Sequence, residues 1–174
     1  TSGLMKKLLV ANRGEIACRV ARSAASLGIA TVGVYSEVDS NALHVRNCDE
    51  AVLIGPAKAT DSYLNVDRII DAAKQTNSDA IHPGYGFLAE NAKFAQRVSD
   101  EGLIWVGPNP DQISAMGDKE RARAIAEAAG VPVLKGSPRF TPDNLDGLHD
   151  AAQAVGFPLL VKASAGGGGI GMRL

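Results

Sequence analysis

Short apolar runs alternate with amphipathic stretches along most of the chain. Leu8–Ala11 is the first apolar run, and apolar side chains then recur at helical spacing from about Glu15. Gly28 is placed to terminate that helix, and a second apolar run, Ile29–Tyr35, follows at once. A strand, a helix and a strand joined by short links predict a right-handed βαβ unit in a parallel sheet.

The same alternation continues as far as residue 110. It predicts further strands and helices at Ala51–Ile54, Val66–Lys74, Ala80–Ile81, Ala89–Val98 and Leu103–Val106. Strands that alternate with helices in this way indicate the α/β class, with a doubly wound parallel sheet.

Two helices with no strand between them are predicted after Pro110. One lies around Ile113 and the other over Lys119–Ala129, with Asp118 as its N-cap and Gly130 as its terminator. We therefore expect the architecture to change at this point, with a domain boundary close by.

The last part of the chain is less regular. Prolines and glycines interrupt residues 132–142, and a helix over Leu145–Val155 and a strand over Leu159–Lys162 are predicted after them. Residues 1–4 are expected to be a cloning remnant before a native start at Met5. The rest divides into an α/β domain over 5–110, linker helices over 111–133 with the boundary near Asp111, and a smaller unit over 134–174.

The composition fits a soluble globular protein and argues against several functions. The 174 residues carry 18 basic and 19 acidic side chains, and the net charge of -1 gives no general attraction to nucleic acid or to a membrane surface. No apolar run approaches the length of a membrane span, and the first residues lack the features of a signal peptide. We therefore expect a cytoplasmic protein.

The cysteines and histidines do not form a recognisable metal site. Cys18 and Cys48 make no CxxC pair and no cluster with the three histidines, so neither structural zinc nor a disulfide framework is predicted. Cys18 falls inside a helical pattern and is expected to be a small apolar filler.

A lysine at the end of the last predicted strand is followed by a glycine-rich run. The run begins four residues after Lys162 and consists of Gly166, Gly167, Gly168, Gly169 and Gly171. Such glycines can turn several N–H groups toward one anion, and the ammonium adds positive charge, a combination that favours phosphate binding. A flexible linker is the alternative, although a linker is rarely preceded by an apolar strand that ends in lysine. The Gly-Lys-Ser/Thr ending of a P-loop is absent.

Two turns follow predicted strands, at the edge where doubly wound sheets bind ligands. The turn Asn12–Glu15 lacks a G-x-G-x-x-G pattern, so a dinucleotide site is not supported, and Arg13 is either solvated or paired with a neighbouring acid. The loop His82–Leu88 either forms the wall of a cleft or is an ordinary turn whose apolar residues cap the core. We expect His82 itself to satisfy backbone groups.

Lys119 lies in the first turn of a predicted helix, where the helix dipole disfavours a cation. A solvated surface lysine is one interpretation. The other is an anion site, because a helix start with an added ammonium binds anions well.

Four sequence runs, in order along the chain, closely resemble the biotin carboxylase family. They are Val10–Ala17, Ala80–Leu88, Gly117–Lys119, and Val161–Ser164 with the glycines that follow. The resemblance extends from Met5 to Leu174. It implies an ATP-grasp enzyme with a Rossmann-like pre-ATP-grasp domain, then a linker helix and the start of an ATP-grasp lid subdomain, incomplete over residues 134–174.

The resemblance also implies roles for particular residues. Lys119 and Lys162 would hold the nucleotide phosphates, while Tyr85, Gly86 and Glu90 would lie near the active-site floor. The mobile lid over ATP would include Gly166, Gly167, Gly168, Gly169, Gly171 and Met172. Family members have glycine at the position of Ala165 and a basic residue at that of Ile170, so the lid contacts there are expected to differ. Neither metal ligands nor a complete catalytic set is expected within the chain.

The activity that the resemblance implies is carboxylation of the N1 atom of biotin. It uses ATP, bicarbonate and Mg²⁺ and passes through carboxyphosphate. The chain alone is expected to be inactive, because the second half of the lid, the adenine-binding strands and the metal-binding carboxylates would lie beyond Leu174. The implied partners are the remainder of the biotin carboxylase chain, a biotin carboxyl carrier domain, a carboxyltransferase and a second copy in a homodimer.

Two other functions stay open on the sequence. One is a subunit-contact module that dimerises without catalysis. The other is a different ATP-grasp ligase, such as carbamoyl-phosphate synthetase, although the strings Asn12–Glu15 and His82–Leu88 speak against it.

Overall fold

The computed structural model describes residues 5–163 and 171–174. The chain divides into two compact units, Thr1–Ser114 (unit 1) and Ala115–Leu174 (unit 2). The hydrophobic pattern predicted a boundary near Asp111, and the division falls a few residues later.

Unit 1 is an α/β layer structure. Its strands are β1 (Lys7–Val10), β2 (Ala30–Ser36), β3 (Glu50–Gly55), β4 (Ala80–His82) and β5 (Ile104–Trp105). Its helices are α1 (Gly14–Ser26), α2 (Leu43–Asn47), α3 (Val66–Gln75) and α4 (Ala92–Asp100). The division between the units falls within α5 (Pro110–Gly117), and the described part of unit 2 contains α6 (Lys119–Ala128) and α7 (Leu148–Val155).

The five strands form one parallel sheet in the order β3-β2-β1-β4-β5. The chain therefore moves outward from β1 in one direction, then returns to the other side of β1 for β4. This reversal makes a topological switch point between β1 and β4, where doubly wound sheets open a crevice at the carboxyl ends of their strands.

Helices cover both faces of the sheet, because successive strand residues point to opposite sides. Leu9 belongs to a buried cluster with Ile69 of α3 and Phe94 of α4. Its neighbour Leu8 belongs to a second cluster with Ala24 of α1. The predicted doubly wound α/β fold is confirmed.

Most of the predicted helix ends are confirmed by their capping geometry. Gly28 follows α1 with a φ of 72°, and Gly130 follows α6 with a φ of 74°. The Asp118 carboxylate accepts a hydrogen bond from the Arg121 N–H at 2.8 Å, as an N-cap does. Cys18 is buried within α1, as expected of an apolar filler.

Three predicted elements differ from the structure. The helix expected from Ala89 begins only at Ala92, because the Asn91 side chain accepts from the Phe94 N–H and caps it there. The helix expected from Leu145 begins at Leu148, since Gly147 before it has a left-handed φ of 75°. The strand predicted over Leu159–Lys162 is wrong, because the structure has only an isolated antiparallel bridge between Val161 and Arg173.

Within the described residues, every helix is too short or too polar to cross a lipid bilayer.

Candidate functional site

The loops that follow β1 and β4 meet beside the switch point, and Asn12 joins them. Its side-chain amide donates to the carbonyls of Pro83 and Tyr85, both at 2.8 Å, and its amide oxygen accepts from the Arg13 N–H at 2.8 Å. Asn12 is buried, so these bonds are shielded from water. Gly84, with a φ of 64°, packs so closely that a Cβ there would lie 2.7 Å from the Asn12 amide nitrogen. The loop after β4 is thus fixed at its main chain.

Arg13 lies in a compact polar and aromatic cluster. Its guanidinium bonds to the Asp39 carboxylate at 3.0 Å and stands 5.3 Å from the centre of the Tyr63 ring and 5.8 Å from that of Phe87. The two rings stack on each other at 5.1 Å. Of the two interpretations that the sequence left open for Arg13, pairing with an acid is confirmed.

Asp39 is the acceptor at the centre of this cluster. It takes hydrogen bonds from the Tyr63 hydroxyl at 2.6 Å and the Ser36 hydroxyl at 3.0 Å, in addition to Arg13. Burial alone would raise its pKa, but the bonds from Tyr63, Arg13 and Ser36 outweigh burial and hold the pKa of Asp39 below its ordinary value. Burial, followed by the bond to Asp39, raises the pKa of Tyr63 to about 12.

His44 supports the same edge from inside the fold. It is fully buried, with Nε2 2.9 Å from the Val34 carbonyl and Nδ1 3.4 Å from the Gly14 N–H at the start of α1. A carbonyl can only accept, so Nε2 carries the proton and Nδ1 is the acceptor. His44 therefore ties α2 to β2 and to the first residue of α1.

Tyr85, Gly86 and Glu90 lie in one segment between β4 and α4. Tyr85 is 60% exposed, and its hydroxyl donates to the carboxylate of Glu15 in the first turn of α1. Gly86 has a φ of 66° and Glu90 is exposed. His82, just before, accepts from the Gly84 N–H at 2.9 Å, which confirms its expected backbone role, and burial lowers its pKa.

In unit 2, Lys119 contacts the segment that precedes the glycine-rich run. The Lys119 ammonium donates to the Ala163 carbonyl at 3.2 Å. Val161 and Arg173 exchange two backbone hydrogen bonds, at 2.7 and 2.9 Å. Lys162, between Val161 and Ala163, is exposed.

The predicted lid residues are only partly described. Gly171 has a φ of 77°, and a Cβ there would meet the Ala163 methyl group at 3.1 Å. Met172 is 37% exposed. The predicted phosphate-binding glycines and the two departures from the family pattern lie outside the described residues, namely Gly166, Gly167, Gly168, Gly169, Ala165 and Ile170.

Metal chemistry has no candidate ligand set in residues 5–163 and 171–174, where no three His, Cys, Asp or Glu side chains cluster as ligands would. Of the two predicted phosphate ligands, Lys119 lies beside Ala163 and Lys162 is exposed in the same segment.

The family model for the biotin carboxylase N-terminal domain matches residues 4–113, more than half of the chain. The chain belongs to the biotin carboxylase family. A second family model, the ATP-binding domain of the carbamoyl-phosphate synthase L chain, matches residues 118–174.

Individual relatives in this family are similar over nearly the whole chain. Biotin carboxylase 1 of Bacillus subtilis is 52% identical over 98% of this chain, which spans 38% of that relative. The mitochondrial methylcrotonoyl-CoA carboxylase subunit alpha of Oryza sativa is 54% identical over 98% of the chain and 23% of its own length. The chain thus spans about two fifths or less of the length of these curated relatives.

Solved biotin carboxylase structures have the same fold. The biotin carboxylase domain dimer of the Hydrogenobacter thermophilus 2-oxoglutarate carboxylase, in complex with MgADP, ADP and bicarbonate, is 48% identical with a TM-score of 0.88 over 98% of this chain and 37% of its own. The Campylobacter jejuni biotin carboxylase complex with β,γ-ATP is 40% identical with a TM-score of 0.89 over 98% of this chain and 38% of its own.

Sequence reasoning missed the residues that hold the edge of unit 1 together. Asp39, Tyr63 and His44 follow no motif, and only the fold brings them beside Arg13 and Gly14. The one signal available was Arg13, a cation in a strand-to-helix turn that needed an acidic partner.

Proposed function

We propose that this chain forms the amino-terminal part of a biotin carboxylase, the ligase that uses ATP to transfer a carboxyl group from bicarbonate to biotin on a carrier protein. The observation that carries the proposal is the Lys119 ammonium 3.2 Å from the Ala163 carbonyl, three residues before the glycine-rich run in sequence. The MgADP and bicarbonate in the related 2-oxoglutarate carboxylase domain and the ATP analogue in the Campylobacter enzyme support it.

The proposed task of unit 2 is to hold phosphate. Lys119 and Lys162 would supply two positive charges, and Gly171 lies close to Ala163, the residue that Lys119 contacts. ATP, when bound, supplies the energy that activates bicarbonate. The described residues offer no ligand set for Mg²⁺.

The proposed task of unit 1 is to shape the active-site floor with Tyr85, Gly86 and Glu90. The fixed main chain of this loop and the exposure of the Tyr85 ring support that assignment. Gly86 faces open space, since apart from its chain neighbours nothing lies within 4 Å of where its Cβ would be.

The proposed partners are the remainder of the carboxylase chain, a biotin carboxyl carrier domain, a carboxyltransferase and a second copy of the enzyme. The dimer of the related 2-oxoglutarate carboxylase domain supports the last of these. We place the enzyme in the cytoplasm, where ATP and bicarbonate are available.

The test is ATP hydrolysis that depends on both biotin and bicarbonate, measured on the carboxylase that contains these residues. Lys119→Ala and Lys162→Ala should each raise the KM for ATP about tenfold or more, because alanine supplies neither charge nor donor. Lys135→Ala, which removes another exposed lysine of unit 2, is the matched control and should leave the KM unchanged.

ATP hydrolysis that does not depend on biotin, with carbamoyl phosphate formed from ammonia, would favour the carbamoyl-phosphate synthetase alternative. If the KM for ATP rose equally in the Lys135 variant and the two test variants, Lys119 and Lys162 would not be phosphate ligands.

A further inference from the structure

Tyr85 lies at the switch point, where its main chain is fixed but its side chain is exposed. Asn12 anchors the carbonyls of Pro83 and Tyr85, which sets the position of the Tyr85 Cα. The ring itself is 60% exposed. An exposed aromatic side chain samples several χ1 rotamers unless something at its tip selects one.

At Tyr85, a hydrogen bond to Glu15 selects the rotamer. The Tyr85 hydroxyl donates to the Glu15 carboxylate, across 70 residues of sequence. Glu15 lies in the first turn of α1, where the helix dipole favours a carboxylate. A bond from a phenol to an ionised carboxylate is stronger than a neutral hydrogen bond, so an exposed pair of this kind can hold a ring in one orientation.

The bond also decides what the ring presents to a ligand. The hydroxyl proton of Tyr85 is engaged by the Glu15 carboxylate, and this hydrogen bond is the largest of the effects that raise the pKa of Tyr85. The ring face is then the free surface. An aromatic face is negative at its centre and suits apolar or cationic groups better than anions. Of the proposed substrates, bicarbonate is an anion and the ATP phosphates are assigned to Lys119 and Lys162, whereas the ring system of biotin fits such a face.

We propose that Glu15 is a positioning residue for biotin, acting through the Tyr85 hydroxyl to hold the ring across the switch point between β1 and β4. This inference rests on the proposed biotin carboxylase function. It gives Glu15 a part in the reaction beyond its place in the Asn-Arg-Gly-Glu turn, although it touches no substrate itself.

The first measurement tests the hydrogen bond in the 174-residue chain by NMR of ¹³Cζ-labelled tyrosine. Tyr85→Phe identifies the Tyr85 signal among the three tyrosines. In Glu15→Ala the pKa of Tyr85 should fall relative to the parent. Asp111→Ala, which removes an exposed acid from the first turn of α5, should leave it where it was. An unchanged Tyr85 titration in Glu15→Ala would overturn the proposal.

The second measurement uses the carboxylase that contains these residues. Glu15→Ala should raise the KM for free biotin about fivefold while kcat and the KM for ATP stay within about twofold. Glu15→Gln keeps an acceptor oxygen and should restore most of the affinity. In the Tyr85→Phe background there is no hydroxyl to donate to Glu15, so Glu15→Ala should cause no further rise in the KM for biotin.

The outcomes separate this inference from the proposed function. A parent enzyme without biotin-dependent ATP hydrolysis refutes the proposed function and the role of Glu15 with it. An active parent whose KM for biotin is the same in Glu15→Ala refutes only the positioning role, and leaves the pair as a surface hydrogen bond.

Discussion

Both units contain amphipathic helices, but the helices differ in how much of their apolar face is buried. In unit 1, α3 buries Ile69, Ile70, Ala72 and Ala73 against the sheet. In unit 2, neither α6 nor α7 has a buried residue among those described, and Ile125 of α6 is 41% exposed. Helical periodicity predicted both kinds correctly as helices, but among the described residues only those of unit 1 have a sheet to pack on. Periodicity therefore identifies a helix without showing that it carries stability.

The candidate functional residues follow the same contrast. In unit 1 the loops at the switch point are held by buried Asn12 and His44 and by the partly buried Asp39 with its hydrogen bonds. In unit 2 the predicted phosphate ligand Lys162 is exposed. A site built on unit 1 is preorganised, whereas a site built on unit 2 holds its cations at the surface, where an anion can reach them.

The largest expected effect comes from emptying the core of unit 1. Ile69→Ala should lower the free energy of unfolding by about 4 kcal/mol, because it removes three buried carbons and leaves a cavity. Ile125→Ala, the matched change in unit 2, should cost well under about 1 kcal/mol, since its side chain is already partly in water.

The fluorescence of the single tryptophan reports the unfolding of unit 1 separately from that of unit 2. Trp105 packs edge-on against Phe94 in unit 1, so its fluorescence in a urea titration follows that unit. Far-UV circular dichroism follows the helices of both. If Ile125→Ala shifted the Trp105 transition as far as Ile69→Ala did, the contrast between the units would be wrong.

A smaller effect is expected at the switch point, where two glycines of one loop form a matched pair. Gly84 and Gly86 both have a positive φ, so alanine at either costs about 1 kcal/mol in backbone strain. At Gly84 the new methyl group would also press on Asn12 at 2.7 Å, while at Gly86 it would meet no atom within 4 Å. Gly84→Ala should therefore cost about 3 kcal/mol in total.

Urea unfolding followed by Trp105 fluorescence measures both glycine variants. Equal losses for Gly84→Ala and Gly86→Ala would mean that the Asn12 side chain can move aside, and that it does not fix the loop.

The sequence was sufficient for elements whose cause is local. Gly28 and Gly130 ended their helices, and Asp118 capped α6, because turn and cap chemistry acts over a few residues. The predicted strand over Leu159–Lys162 failed for the opposite reason. An apolar run makes a strand only if a partner pairs with it, and in the described residues Val161 meets Arg173 alone.

The candidate site was predictable to the same extent. Lys119 was selected from local chemistry, and it lies beside Ala163 in the segment that precedes the glycine-rich run. Asp39 was not found, because nothing near it in sequence marks it. Its partners Arg13 and Tyr63 come from the turn before α1 and from the segment before α3, 26 and 24 residues away.

Asp39 gives the smallest of these effects and a characteristic pH dependence. Asp39→Asn should lower the free energy of unfolding of unit 1 by about 2 kcal/mol at pH 7, because Arg13 and Tyr63 lose an ionised acceptor. Asp71→Asn, an exposed acid on α3, is the control and should change it by less than about 0.5 kcal/mol.

The sign of the pH effect follows from the lowered pKa of Asp39. Folding depresses it below the ordinary value of 3.8, so the folded carboxylate holds its proton less tightly than the unfolded one. Its contribution is therefore fully present above pH 3.8 and is lost as the pH falls through the lower, folded pKa. Asp49 and Glu101 also have lowered pKa values, so their contributions to stability are lost in the same acid range in parent and variant alike. Urea titrations at pH 7, 4 and 3 should accordingly show the gap between parent and Asp39→Asn narrowing toward acid. A gap that stayed constant would mean that the Asp39 charge does not stabilise the cluster around Arg13.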